Sequence, residues 1–401
     1  MTGSFAVAGV TPRDVVTPAT IDELAEIVRG LHADRKAFAF IGGGTELELG
    51  NAPRALDTVV RTSALDRVIE YAPEDQTITL EAGVTLAELD RVLGAHGQML
   101  PIDVADRDQA TVGGIIATGA YGRRRLRYGT VKDLIVGVGI VRPDGVRARG
   151  GGKVVKNVAG FDLPKLMVGA LGTLGAIVTA TLRVYPVPAS VRAVVLHFDG
   201  AAGVASAVAV LVEQRFEPES VVVYNYGALV VTFAGTAGGV DAQIAAMLGA
   251  VAAASGCVNA AELSDLERES YEQRERAVRR DGDWRVRIVA PPAYPVTTLG
   301  SFAASPPLAV PVAYPLLGIA LHAHAAADAP PERHLTDLRD NVSAQTRGTG
   351  AVIAHAIPAV ARPHVDAWPK LPPAQFATMR AMKNNFDPHG LCNPGRFIGG
   401  L

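Results

Sequence analysis

Two hydrophobic periods alternate along this chain. Near the start, Leu24, Ile27, Val28 and Leu31 form one apolar stripe at helical spacing. Thr20, followed three residues later by Glu23, is a capping box that opens that helix. A second stripe, Leu86, Leu89, Val92 and Leu93, follows Thr85 with Glu88 at the box position. Short strand patterns lie around them. Ala37–Ile41 is a compact apolar run, Thr77–Ala82 alternates, and Leu134–Val141 ends at the turn Pro143-Asp144-Gly145. Ala176–Val184 is the last strand before two prolines, in Tyr185-Pro186-Val187-Pro188, interrupt the pattern. Beyond them, Ala189–Phe198 and Glu219–Phe233 read as strands, and Ala201–Gln214 and Val240–Ala254 as helices. The expected class is α+β, with residues 1–187 as one domain, 188–375 as an α+β cap, and 376–401 as a tail.

Length supports this division, because 401 residues exceed one compact core. Apolar residues at 49% and charged residues at 19% give an ordinary globular balance. A net charge of −2 offers nothing to a nucleic acid or an acidic membrane. Two cysteines, Cys257 and Cys392, are too few for a disulfide framework or a four-cysteine metal site, and fit a reducing cytoplasm. The first residues lack the basic and apolar regions of a signal peptide. Ala201–Val212 is too short to span a bilayer, and Pro311 and Pro315 break Ala309–Leu321, so no transmembrane segment is expected. Peripheral attachment at the inner membrane through another subunit stays open.

Four segments carry candidate chemistry. Gly42-Gly43-Gly44-Thr45 ends a strand abruptly. Such a run reads either as a tight surface turn or as a nest of backbone N–H groups for phosphate oxygens. Ala110–Gly122 is too rich in glycine for a stable helix and too apolar for a solvated loop. It suits either a buried connector, fed by Leu100-Pro101-Ile102-Asp103, or a backbone laid against a flat ligand. In Lys156–Gly175, Asp162 caps a short helix with Pro164 in its first turn, and Gly169, Gly172 and Gly175 follow at spacing three. The tail contains the turn Asn393-Pro394-Gly395, then Arg396, a partner for a phosphate unless the segment is a frayed end. A Gly-x-Gly-x-x-Gly after a strand is missing, and Gly150-Gly151-Gly152-Lys153 lacks P-loop spacing.

In this order, the four segments resemble the vanillyl-alcohol-oxidase (PCMH-type) FAD-binding family, most of all the FAD-binding subunits of bacterial glycolate oxidases. The resemblance is densest over Ala110–Pro186, covers most of residues 10–187, and resumes at Val365–Pro369 and in the tail. It implies a PCMH-type FAD-binding domain of two α+β subdomains, and a tail that returns to the FAD site. It also implies roles. Gly42, Gly43, Gly44 and Thr45 would line the pyrophosphate. Thr111, Gly113, Gly114 and Thr118, with Pro101, would run beside pyrophosphate and flavin. Asp162, Gly172 and Thr173 would lie near the ribityl–pyrophosphate region, Ile177 near adenine, and Asn393 and Arg396 would close the site. Gly42–Asn51 and Asp103–Thr130 contain no histidine of the kind that tethers flavin in covalent members, so non-covalent FAD follows.

The family chemistry is oxidoreduction. A hydroxy-acid substrate needs a base for its hydroxyl proton and a cation for its carboxylate. His322 and His324 share one face of a strand pattern, but no carboxylate sits beside them to complete a metal site. His355 is a candidate base, and Arg285 and Arg287 are candidate carboxylate clamps; surface or packing roles are the alternative for all five. Arg123-Arg124-Arg125-Leu126-Arg127 reads as a positive patch for an anionic substrate or an acidic partner, or as a solvated face. Three functions follow: an FAD subunit of a glycolate (2-hydroxy-acid) dehydrogenase with a larger catalytic flavoprotein and an iron–sulfur partner; a stand-alone FAD oxidoreductase on another alcohol or hydroxy acid; or a flavin-binding assembly subunit without turnover.

Overall fold

The computed structural model describes residues 6–152, 162–225, 227–254, 256–291, 309–324 and 331–401. Lys156–Phe161 of the third segment lie outside these residues, as does the side chain of His324. The chain forms two compact units. One comprises Met1–Gly122, Gly129–Val187 and Asp366–Leu401; the other, Arg123–Tyr128 and Pro188–Val365.

The first unit holds two main sheets. Asp14–Val16, Thr58–Arg61 and Phe38–Ile41 form a parallel sheet with Thr58–Arg61 in the middle. The Ile21–Ala33 helix buries Leu24, Val28 and Leu31 against Phe38 and Val60. Thr20 caps this helix through Glu23 N at 3.1 Å, while the Glu23 carboxylate takes the N–H of Ala19 rather than that of Thr20. Val68–Ala72, Thr77–Glu81, Ala176–Arg183, Ile135–Val141 and Arg147–Gly151 form an antiparallel sheet in that spatial order. The Leu86–Gly94 helix seals its core with fully buried Leu86, Leu89 and Leu93. Each such leucine contributes about 1.5–3 kcal/mol of apolar burial.

The glycine-rich stretch after Ala110 departs from expectation, because Val112–Thr118 is helical. Two glycines weaken such a helix by about 1 kcal/mol each relative to alanine. External bonds compensate. Val112 N–H donates to Val84 (2.9 Å) and Gly113 N–H to Ala82 (2.7 Å), and Thr111 caps Gly114 N at 3.2 Å. Gly119, at φ 62°, ends the helix in the left-handed conformation that glycine adopts without strain.

The tail enters the same unit. The Pro373–Phe386 helix delivers Lys383, whose buried ammonium donates to Asp387 Oδ2 (2.6 Å) and to the carbonyls of Thr173 and Cys392 (2.8 Å each). Asp387 then accepts the N–H groups of Leu391 and Cys392. Cys392 bridges Phe38, which donates to Leu391 O at 2.9 Å and accepts from Asn393 N at 2.6 Å. The tail is thereby hydrogen-bonded alongside the strand that ends at Gly42.

The second unit is built on an eight-stranded antiparallel sheet. Glu219–Phe233, expected as one strand, is a hairpin: Ser220–Tyr224 and Ala228–Gly235 pair through a turn at Asn225, where φ is 51°. Both arms are mostly apolar, without a regular alternation, so periodicity alone does not mark the break. The arginine run 123–127 is not an open positive patch. Arg123, 8% exposed, pairs with Glu272 (2.6 Å) and Glu275 (3.3 Å), Arg124 lies 3.7 Å from Glu219, and Arg127 donates to the carbonyl of Ala234. Acidic partners distant in sequence turn a positive run into internal ion pairs.

Candidate functional site

The strand Phe38–Ile41 places Gly42, Gly43, Gly44 and Thr45 on the wall of an open cleft. Thr111, Gly114, Ala117 and Thr118 line it from the Val112–Thr118 helix, Leu171 from another loop, and Asn393 and Arg396 from the tail. Close approach explains the glycines. A Cβ at Gly42 would lie 2.0 Å from Thr111 Oγ1, and one at Gly43 would lie 1.6 Å from the carbonyl oxygen of Gln109. Among the described residues, no backbone N–H of Gly42–Thr45 donates within the protein. Together these groups make a donor-rich cradle of the kind that holds phosphate oxygens.

The tail supplies the opposite lip. Asn393, 4% exposed and at φ 50°, donates through Nδ2 to Leu171 O at 2.6 Å, and its buried Oδ1 has no partner. Arg396, also 4% exposed, donates to Leu47 O (3.0 Å) and Asn51 O (3.4 Å). Its own carbonyl accepts from Trp368 Nε1 at 3.0 Å and Asn51 N at 3.1 Å. The carbonyls of Leu47 and Asn51 help fix the guanidinium beside the loop that follows Thr45.

None of the remaining expected cofactor residues lines the cleft. Gly113 turns to Ala82, where a Cβ would meet the Ala82 side chain at 2.7 Å. Pro101 is buried beside Leu100 and Ile102. Asp162 caps the Leu163–Met167 helix through Lys165 N at 3.2 Å, and the bonds and charge of Lys165 hold its carboxyl below the usual range. Gly172, at φ 68°, has Asn393 and Phe40 as neighbours. Thr173 is buried, donating to Ala170 O at 2.7 Å. Ile177 is buried on the strand paired with Ile135–Val141. Cys392 donates to Gly172 O at 3.0 Å, and burial pushes its thiol up to about 12, so it stays protonated.

The candidate substrate residues divide. Arg285, Arg287 and His355 gather on one face of the second unit's sheet. His322, 2% exposed, stands opposite Val286 in the register and so occupies the other face. Burial, reinforced by the charges of Arg287, Arg285 and Arg279, pulls His355 well below the ordinary histidine value. Among the described residues, no group of three or more His, Cys, Asp or Glu could hold a metal. No helix among them is long and apolar enough to cross a membrane.

The comparisons with known proteins agree with this architecture. Residues 12–150 match the FAD binding domain family, and residues 370–397 match the C-terminal domain of FAD linked oxidases. Glycolate oxidase subunit GlcD of Bacillus subtilis (strain 168) is 29% identical over 207 residues, 52% of this chain and 44% of that protein. Glycolate oxidase subunit GlcE of Escherichia coli (strain K12) is 34% identical over 166 residues, 41% of this chain and 47% of that protein. The matches thus span less than half the length of these relatives. The structure of p-cresol methylhydroxylase with substrate bound superposes with a TM-score of 0.72 at 15% identity, covering 95% of this chain and 88% of that one. The fold is the PCMH type. Residues 12–150 thus carry an FAD-binding domain, and the chain is similar to FAD-linked oxidases, among them subunits of glycolate oxidases.

Sequence reasoning missed Lys383 and Asp387, which fix the tail, and Phe40, Leu47 and Leu171, which complete the cleft wall. The Lys383–Asp387 spacing of four along a helix was the one available signal.

Proposed function

We propose that this chain is the FAD-binding subunit of a glycolate (2-hydroxy-acid) oxidoreductase, with the FAD held non-covalently. The observation that carries the reading is the cleft. Four consecutive backbone N–H groups, without an acceptor among the described residues, line the same cleft as an orphaned buried amide oxygen, at a loop where the close approach requires glycine. The residues fit a dinucleotide. Gly42–Thr45 would receive the pyrophosphate oxygens, and Asn393 Oδ1 would accept a hydroxyl or N–H of the cofactor. Thr111, Gly114 and Thr118 would bound it, while Arg396 would hold the glycine loop in place and add positive charge. Gly172 would support that wall beside Asn393, and Gly113, Pro101, Asp162, Thr173 and Ile177 would contribute to the FAD-binding domain outside the cleft lining. Among the described residues that line the cleft, none is a histidine, cysteine or tyrosine, which is compatible with a non-covalent mode.

FAD, once bound, supplies the two-electron acceptor for oxidation of the substrate carbinol. The protein's share is binding, orientation and exclusion of water. The proposed partners are a larger catalytic flavoprotein and an iron–sulfur subunit, the assembly lying in the cytoplasm or peripherally at the inner membrane. Likeness to both GlcD and GlcE supports a multi-subunit setting. The test is an absorbance spectrum of the FAD-loaded chain before and after anaerobic glycolate or D-lactate. Bleaching shows turnover by this chain. Flavin that stays oxidised alone but bleaches once both partners are added assigns it a relay. Flavin that never bleaches in either setting overturns the redox reading.

A further inference from the structure

One face of the second unit's sheet carries a cluster of buried and half-buried cations. The Asp265–Arg280 helix lies against the strands Ala309–Tyr314 and Ile319–His324. Its Glu275, 2% exposed, accepts from Arg123 (3.3 Å), Arg279 (3.4 Å) and the Tyr314 hydroxyl. Arg279 also donates to that hydroxyl at 2.6 Å. This carboxylate is therefore fully engaged.

Arg285 stands apart from that network. It is 7% exposed, yet it forms no ion pair among the described residues. It donates one hydrogen bond, to the carbonyl of Arg279 at the end of the helix, and its buried Nε has no acceptor. His355 meets it across the sheet. A bulge sets Ala354 opposite Val286 and Ala356 opposite Arg285, so His355 is the extra residue between them, beside Arg285. Its Nε2 is buried without a partner. Bulges of this kind re-aim a side chain, often next to a binding site. Burial and the flanking guanidiniums keep this imidazole neutral, so it can still donate one N–H.

A buried guanidinium without a counter-charge is unfavourable, and so is a buried ring nitrogen without a partner. Both deficits are satisfied by one planar anion with two oxygens. We propose that Arg285 and His355 bind the carboxylate of an organic acid within the second unit, one oxygen accepting from Arg285 Nε and the other from His355 Nε2. For the identity of that acid, a 2-hydroxy acid, the inference rests on the functional reading above; the anion site itself does not. Arg287 and Arg279 add to the positive potential there.

The experiment is thermal unfolding of the FAD-loaded full chain with D-lactate, with uncharged lactamide and with inorganic phosphate. D-lactate is expected to raise the melting temperature, whereas lactamide is not. Arg285→Met is expected to melt at or above the wild-type temperature without ligand, because an uncompensated buried charge is gone. It should bind D-lactate at least about 30-fold more weakly. His355→Ala should weaken binding too, and His355→Gln, which keeps an N–H donor, should restore most of it. Should Arg285→Met unfold early, Arg285→Lys decides: it keeps the charge without the Nε donor, and its D-lactate affinity must fall at least about tenfold. Stabilisation by phosphate alone, or an Arg285 variant that binds D-lactate like the wild type, would overturn the site. Flavin absorbance separates the two readings. A chain without FAD fails the functional proposal whatever its D-lactate response, and an FAD-loaded chain indifferent to D-lactate fails this one alone.

Discussion

The cleft of the first unit and the cation cluster of the second are built from different materials. The cleft is made of backbone: free N–H groups at Gly42–Thr45, carbonyls that pin Arg396, and glycines whose missing Cβ atoms let segments touch. The cluster is made of charged side chains on a regular sheet, and its geometry depends on one bulge at His355. A backbone-built site tolerates almost no substitution at its glycines but carries little charge. A side-chain-built site can lose its key residue and keep its fold. The first should therefore break by losing structure and cofactor together, and the second by losing ligand alone.

Lys383→Met gives the largest expected effect on the first region. It leaves Asp387 buried without its counter-ion, and loss of one partner from a buried pair costs about 3–5 kcal/mol. Asn393 and Arg396 should leave the cleft with the tail. Denaturant unfolding measures the loss, and FAD retained after gel filtration should fall in parallel. Retained FAD in a destabilised variant would show that the tail is not part of the site.

Gly43→Ala sharpens the same comparison. Its Cβ would meet the Gln109 carbonyl at 1.6 Å, so the loop must move. FAD affinity should drop at least about 100-fold, the equivalent of roughly 3 kcal/mol, as measured by flavin fluorescence titration. Arg285→Met in the second unit should leave that affinity unchanged.

Glu81→Gln gives the smallest effect and separates structural charge from site charge. Glu81 is buried and accepts from Arg67 N, Nε and NH2 at 3.0, 3.2 and 2.7 Å. Burial alone would raise its carboxyl, but the hydrogen bonds and charge of Arg67 outweigh that and hold it below the usual range. A depressed carboxyl contributes stability that is present above its unfolded value and lost as pH falls through its folded value. The variant should be less stable than the wild type by about 1–2 kcal/mol at neutral pH, and the gap should narrow as pH falls below the ordinary carboxylate range and through the depressed folded value. FAD binding should not change.

These differences also explain what could be read along the chain. The stripes Leu24–Leu31 and Leu86–Leu93 are legible because one buried face repeats with the helical period. Gly42–Gly44 is legible as a break because glycine punctuates backbone. The Val112–Thr118 helix was not, since its stability comes from bonds to Ala82 and Val84, far away in sequence. Arg123 reads as surface until Glu272 and Glu275 are brought to it by the fold. The same holds for Lys383 and Thr173, a contact across 210 residues. The hairpin at Asn225 is hidden between two mostly apolar arms, and the His355 bulge leaves no trace in composition.

The measurement that bears most directly on the central claim is reconstitution of the purified wild-type chain with FAD, followed by gel filtration and then denaturation. The account predicts one FAD per chain co-eluting with the protein, all of it released intact into solution on denaturation. A chain that elutes without flavin after reconstitution would contradict it.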